Sequence, residues 1–215
     1  KKLVDLGIVI ENMSQNLPAI IGLSEVENET VVQDLINSAP LTKSKYSYIH
    51  YDSPDERGID VALIYSKKAF KPLYSEAVPV SLPEDTRPTR DILYVKGKLK
   101  GSLELHVFIN HWPSRYGGAE QSEPKRLAAA ATLKLKLDSL LAIDPNTAIV
   151  CMGDFNDYPK DRSVYFTLEA RTPGTPDVWF HNLALPLAQK GEGTHYYRGH
   201  WGMLDQFIVS RSLTS

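Results

Sequence analysis

Glu25, His111, Asp154, Asn156 and Asp205 are the residues on which chemistry can rest. They lie in short polar stretches that interrupt apolar runs: Gly22-Leu23-Ser24-Glu25-Val26-Glu27-Asn28, Asn110-His111-Trp112-Pro113-Ser114-Arg115, Gly153-Asp154-Phe155-Asn156-Asp157 and Leu204-Asp205. A carboxylate directly after a buried strand is costly to desolvate and needs a cation, a hydrogen-bond partner or solvent to remain charged. Hard oxygen ligands suit magnesium, manganese or calcium, and magnesium often takes only one or two protein carboxylates, so a sparse set led by Glu25 with Asp205 is reasonable. Hydrolysis of a phosphate ester needs such a cation, a group that orients water, and donors to the transition-state oxygens. Asp154 suits the water, and the Asn156 amide two residues on suits water or a phosphate oxygen. His111 suits a phosphate oxygen, with Asp60 as the carboxylate that keeps it protonated. Asn110, Arg57 and Arg115 are expected to contact substrate, the arginines by pairing with phosphate.

Each of these residues alone has a plainer explanation. Asp and Asn beside Gly are ordinary turn residues, exposed arginines are usually solvated or ion-paired, and a lone histidine is more often packed than catalytic. That plainer reading suits His50, His106, His181, His195 and His200, and Trp112 and Trp201 read as packing. Cys151, the single cysteine, sits in an apolar run and reads as a buried structural thiol. Recurrence of acids at several strand ends is what favours chemistry over turns.

The elements that must position these groups are legible from spacing. Leu3, Leu6 and Ile10 predict a helix, Pro18 ends it, and Ala19–Val26 predicts a buried strand with Glu25 near its carboxyl end. Asn28 is a cap for a helix carrying Val31, Val32, Leu35 and Ile36. Tyr46–Tyr51 and Ile59–Ser66 predict strands flanking the polar loop Asp52–Gly58, and Ile92–Leu99 with Leu103–Ile109 predicts a hairpin about Gly101. Ser122 and Pro124 suit a helix start, followed by a stripe from Leu127 to Leu141 that Pro145 stops. Thr147–Met152 and Met203–Ser210 predict two more strands, while Pro159–Gly193 reads as loop-rich. Strands interspersed with a few amphipathic helices predict an α/β (α+β) fold of stacked sheets with helices outside.

With 215 residues, 42% hydrophobic and 23% charged, the chain suits one domain, 1–215, with a sizeable core. A net charge of −2 gives no overall basic field and argues against tight, sequence-independent binding to duplex DNA. The longest apolar runs are too short to cross a bilayer, and neither a lipid anchor nor a basic amphipathic helix is visible, so membrane insertion is not expected. A soluble monomer is the expectation. The compartment stays open, secreted or periplasmic if a leader has been removed.

The ordered set of these stretches, with Arg57-Gly58-Ile59-Asp60 and Trp201-Gly202-Met203-Leu204-Asp205, closely resembles the endonuclease/exonuclease/phosphatase family over nearly the whole chain. The resemblance implies a four-layer sandwich, two packed mainly antiparallel sheets flanked by helices, and magnesium-dependent cleavage of a phosphate ester. Nucleic acid, a phospholipid headgroup and a small phosphorylated metabolite are the substrate classes it leaves open. By motif, Glu25 resembles the metal-binding glutamate, His111 the phosphate-contacting histidine, Asp60 its acidic partner, Asp154 and Asn156 the pair that positions water and phosphate, and Asp205 the aspartate of the closing motif. Two departures stand out. The closing Asp-His pair reads Asp205-Gln206 here, and glutamine can donate to phosphate but cannot titrate near neutrality. The family's opening strand, with its metal-site asparagine, is expected before Lys1, since Asn12 and Asn16 lie in the wrong context to replace it. A metal-dependent hydrolase is therefore the first expectation. A catalytically weakened phosphate- or nucleic-acid-binding protein of the same fold is the second, and a calcium-stabilised interaction domain is poorly supported by so few spaced ligands.

Overall fold

A computed structural model describes residues 1–15, 17–83 and 87–214, so Asn16 lies outside the described residues. The spacing of Leu3, Leu6 and Ile10 forms a helix, α1 (Lys2–Asn12), ahead of strand β1 (Ile20–Val26). The Asn28 side chain accepts from the Val31 amide at 3.1 Å and caps α2 (Glu29–Ile36), as its position suggested. Strands β2 (Tyr46–His50), β3 (Asp60–Ser66), β4 (Phe70–Val78), β5 (Ile92–Leu99) and β6 (Glu104–His111) follow. Then come α3 (Ala119–Ile143), β7 (Ala148–Asp154), β8 (Ala170–Arg171), β9 (Phe180–Asn182), α4 (Leu185–Gln189), the small hairpin β10 (His195–Tyr197) and β11 (His200–Gly202), and β12 (Asp205–Ser210).

Two sheets carry the fold. One has the order β1-β3-β2 and is wholly antiparallel; the other has the order β4-β5-β6-β7-β12-β9-β8, with β6–β7 and β8–β9 the parallel pairs. Val61 and Leu63 of the first sheet meet Leu93, Val95, Val107, Ile109 and Met152 of the second in a core between them. The outer face of the first sheet packs on α1 and α2 through Ile10, Val32 and Leu35, with Ile21 and Ile64 beneath. The outer face of the second packs on α3 through Ala130, Leu133 and Leu137 against Phe108, Ile149 and Cys151. The layers are thus helix, sheet, sheet and helix, as the resemblance implied. Cys151 is fully buried.

Three stretches differ from the sequence expectation. Strand β4 has no clean apolar alternation because it is a sheet edge, which leaves Leu73 and Tyr74 exposed and tolerates Pro72 beside a bulge. Helix α3 begins at Ala119 rather than near Ser122. The buried Arg126 guanidinium donates to the Ala119 carbonyl at 2.8 Å and to Ser122 Oγ at 2.7 Å, and Ser122 Oγ reaches the Gly118 carbonyl at 2.6 Å, so side chains hold the early turn together. Within 159–193, the short β8, β9 and α4 are each too brief to show periodicity.

Gly153 is a position where only glycine fits. Its φ is +128°, and a Cβ there would overlap the Asn110 carbonyl of the neighbouring strand. Gly153→Ala is expected to lower the free energy of unfolding by roughly 2 kcal/mol or more, read as a reduced urea midpoint with unchanged slope.

Candidate active site

The parallel register of β6 and β7 sets His111 opposite Asp154, and the antiparallel register of β12 and β7 sets Asp205 opposite Asp154 on the other side. Three separate polar stretches therefore converge at one sheet edge. Backbone bonds fix them there: the Trp112 amide donates to the Asp154 carbonyl at 2.9 Å, and the Phe155 amide to the Leu204 carbonyl at 2.9 Å. Glu25 arrives from the other sheet. Between Leu23 and Val26, β1 has one residue more than β3, and Glu25 takes the left-handed conformation, φ +58°, that this bulge requires. The bulge turns its side chain out to solvent at the cleft.

Asp154 is the electrostatic centre. Burial pushes its carboxyl up to about 6, with the Asn156 amide bond opposing that rise and the charges of Asp205 and Glu25 adding to it. Asn156, itself left-handed at φ +51°, donates from its backbone to Asp154 Oδ1 at 2.8 Å. Its side-chain Nδ2 reaches Asp154 Oδ2 at 3.2 Å and the Trp112 carbonyl at 2.8 Å. This amide braces the carboxylate and leaves its own oxygen without a protein partner among the described residues.

His111 stands with Nε2 3.8 Å from Asp154 Oδ2, and its buried Nδ1 has no hydrogen-bond partner among the described residues. Burial, then the nearby positive charges of Arg90 and Arg57, drive its pKa down to about 3. The imidazole is therefore neutral at physiological pH, contrary to the expectation that a carboxylate keeps it protonated. The proposed partner, Asp60, is engaged elsewhere: it bonds His50 Nε2 at 3.0 Å and accepts from Ser53 N at 2.9 Å and Ser53 Oγ at 2.6 Å. What supports His111 is Arg90. This buried guanidinium donates to the His111 carbonyl at 3.1 Å and the Trp112 carbonyl at 2.6 Å, and pairs with Asp55 at 2.9 Å. Neither Arg90 nor Asp55 was singled out from the sequence. The one clue was an arginine placed immediately before a buried strand.

Several other expected contacts are redirected. Asn110 is fully buried, with its oxygen accepting from Trp112 Nε1 at 3.0 Å and its Nδ2 donating to the Phe108 carbonyl at 3.2 Å, so it shapes the strand end and does not face substrate. Gln206 is likewise buried. Its Nε2 donates to the Asp157 carbonyl at 2.6 Å and its oxygen accepts from Asn182 Nδ2 at 2.6 Å, an arrangement that leaves nothing for a phosphate. Arg57 Nε pairs with Asp55 at 3.2 Å while most of the side chain stays exposed. Arg115 lies 3.3 Å from Asp161 and stacks over the Tyr158 ring. It stays at the rim, beside a second buried pair in which Arg126 Nε meets Asp157 at 2.6 Å.

Glu25, Asp154 and Asp205 fit a divalent cation on electrostatic grounds, since three mutually repelling acids face one solvent-open edge. Their oxygens do not close into one tight shell, which suits an ion that keeps several of its waters. Among the described residues, the group whose donor atoms all lie within 4.8 Å is His50, Asp52 and Asp60. There the Asp60 carboxylate is already satisfied by protein donors, so the cluster latches the 52–59 loop without requiring an ion.

The sequence profile of the endonuclease/exonuclease/phosphatase family matches residues 1–215. The chain belongs to that family. Among solved structures it is similar to the human Nocturnin catalytic domain with bound sulfate, at 17% identity and TM-score 0.69, covering 98% of this chain and 75% of that one. A truncated Caenorhabditis elegans TDP2 gives 17% identity and TM-score 0.68 over 97% and 76%. The mannosyl-6-phosphatase of Bacteroides thetaiotaomicron gives 15% and 0.66 over 98% and 76%. These similarities establish the fold. No curated protein matches the chain. No helix among the described residues is long and apolar enough to cross a membrane.

Two measurements test the geometry. Asp154 has a folded pKa of about 6 against an ordinary 3.8, so its protonated form favours the folded state, and that contribution is lost as pH rises through 6. Asp154→Asn is therefore expected to stabilise the metal-free protein at pH 8 by on the order of 2 kcal/mol, with the gain vanishing near pH 4 in thermal melts under EDTA. Gln206→Ala, by contrast, is expected to cost roughly 1–3 kcal/mol at every pH by orphaning Asn182 and the Asp157 carbonyl. An unchanged melting temperature would mean that the amide is not part of the scaffold.

Proposed function

We propose that this chain is a divalent-cation-dependent hydrolase of a phosphate ester, with Asp154 orienting the attacking water. The observation that carries the reading is the pairing of Asp154 with a neutral, buried His111 whose Nδ1 has no protein partner, at an edge where Glu25 and Asp205 add negative charge. Glu25, Asp205 and Asp154 would hold magnesium or manganese, which would supply charge neutralisation for the phosphate. The protein contributes the rest. Asn156 fixes both Asp154 oxygens, so the carboxylate has one orientation toward water. His111, held through its carbonyl by Arg90, offers an uncharged ring to a phosphate oxygen or a leaving group, donating from whichever nitrogen carries the proton. Arg57 and Arg115 at the rim favour an anionic substrate.

The competing reading, a weakened binding protein, draws its support from Gln206 and from the opening strand expected before Lys1. With that amide engaged by Asn182 and Asp157, glutamine does not stand in for the histidine at a phosphate, so the hydrolase reading rests on His111, Asp154 and the cation.

The deciding assay is hydrolysis of a chromogenic phosphodiester, a phosphomonoester and plasmid DNA, with and without EDTA. Glu25→Gln and Asp154→Ala are each expected to lower kcat/KM about 10²–10⁴-fold on the preferred substrate, and EDTA to abolish turnover until metal is restored. Full activity in EDTA, or in either variant, would sink the proposal. The pH profile is a further check. Proton and cation compete for Asp154, so apparent metal affinity is expected to fall as pH drops below about 6, while His111 contributes no limb between pH 5 and 9.

A further inference from the structure

Beside the His111 backbone lies a trough of about 500 Å³ whose walls include Arg57, Thr89, Arg90, Pro113, Ser114 and Lys125. Arg90 links it to the site, because the same guanidinium lines the trough and holds the carbonyls of His111 and Trp112. Its charge runs against that of the whole molecule. Among the described residues, four cations, Arg57, Arg87, Arg90 and Lys125, line it against two carboxylates, Asp55 and Glu56, in a chain whose net charge is −2.

The carboxylates do not cancel the cations at the trough surface. Asp55 is buried, with one oxygen taken by Arg90 Nη1 at 2.9 Å and the other by the Arg57 amide at 3.0 Å and Arg57 Nε at 3.2 Å. It acts as a post that holds two guanidiniums, leaving the terminal nitrogens of Arg57 without a partner among the described residues on a side chain that is 55% exposed. Glu56 reaches only Arg87, across an exposed 3.2 Å pair of the kind that contributes little. Lys125, half-buried on α3, has no ion-pair partner among the described residues. Buried in the same wall, Thr89 Oγ1 also lacks a hydrogen-bond partner. A fork of free guanidinium donors beside an unpaired ammonium suits a phosphate group better than a neutral ligand.

We propose that this trough is a second anion subsite, holding a phosphate of the substrate other than the one being hydrolysed. It rests on the phosphoesterase reading above. The substrate is then a molecule carrying at least two phosphates, whether a phosphodiester chain or a small metabolite with a second phosphate group.

The test compares wild type, Lys125→Ala and Lys125→Glu on three probes: bis(p-nitrophenyl) phosphate, a short single-stranded oligodeoxynucleotide and a sugar bisphosphate. Lys125→Glu is expected to raise KM about tenfold on a multi-phosphate probe with kcat retained, and to leave the single-phosphate diester within twofold. Lys125→Ala is expected to reduce the salt slope of kcat/KM on the oligonucleotide by about one. An effect on the oligonucleotide alone identifies a phosphodiester chain, and an effect on the bisphosphate as well identifies a second phosphate in general. Equal loss on all three probes, or no loss on either multi-phosphate probe, overturns the subsite. Should no probe turn over, anisotropy of a labelled oligonucleotide with Asp154→Asn protein in EDTA, with and without Lys125→Glu, separates the two failures. Weakened binding keeps the trough without the hydrolase, and unchanged binding removes it.

Discussion

Everything at the cleft depends on the parallel pairing of β6 with β7. Parallel neighbours cannot be joined by a tight turn, so the chain must cross over, and the 25-residue α3 is that crossover. The helix is held down by Ala130, Leu133 and Leu137 on the same sheet that carries Phe108, Ile149 and Cys151, so burial of one apolar stripe fixes both strands in direction and register. With that register, His111 and Asp154 finish side by side. A slip of one residue would reverse the faces of an entire strand, taking Phe108 out of the core along with His111 out of the cleft, so the packing that stabilises the sheet also specifies the site.

Two buried arginines then convert strand ends into a fixed geometry. Arg90, from its position just before β5, binds the carbonyls of His111 and Trp112, while Arg126 ties the start of α3 to Asp157 just beyond Asn156. Isolated, either guanidinium would be expensive to bury. Each is matched by a buried carboxylate, Asp55 or Asp157, and its remaining donors meet backbone carbonyls and, for Arg126, the Ser122 hydroxyl. Such pairs contribute little net stability, but removing one partner leaves a naked charge, which makes the loop conformation over-determined. Gln206 and Asn182 form an uncharged version of the same device one strand further along.

The outline of this arrangement was legible in the sequence, because the periodicities that mark β1, β3, β5, β6, α3, β7 and β12 come from burial against large apolar surfaces. Polar stretches after such runs had to lie at sheet ends, and Glu25, His111, Asp154, Asn156 and Asp205 do. Partnerships between those ends were not legible. Asp60 is the partner that the motif assigns to His111, yet β3 pairs with β2, and the His50 ring at the end of that preceding strand is its neighbour in space. Asn110 and Gln206 carried the right functional groups, but alternation along a strand decides which side an amide faces, and for both it is the inside. Strand β4 was invisible for a related reason, since an edge strand with one solvated face and a proline lacks the pattern that marks buried ones.

The charges are also sorted in space. Acids gather where β1 and β7 end and β12 begins, while Arg90 and Arg57 stand behind His111, and the boundary between the two fields passes between His111 and Asp154. That boundary explains why these neighbours titrate so far from their ordinary values in opposite senses: burial raises the acid to about 6 and lowers the imidazole to about 3, so each favours its neutral form. A salt bridge between them would have locked both. Instead, at neutral pH the ring stays uncharged 3.8 Å from a carboxylate that is already largely ionised. The cleft thus sets acids on one side and guanidiniums on the other, with the His111–Asp154 pair on the line between them, and the strand register that fixes the pair fixes that division as well.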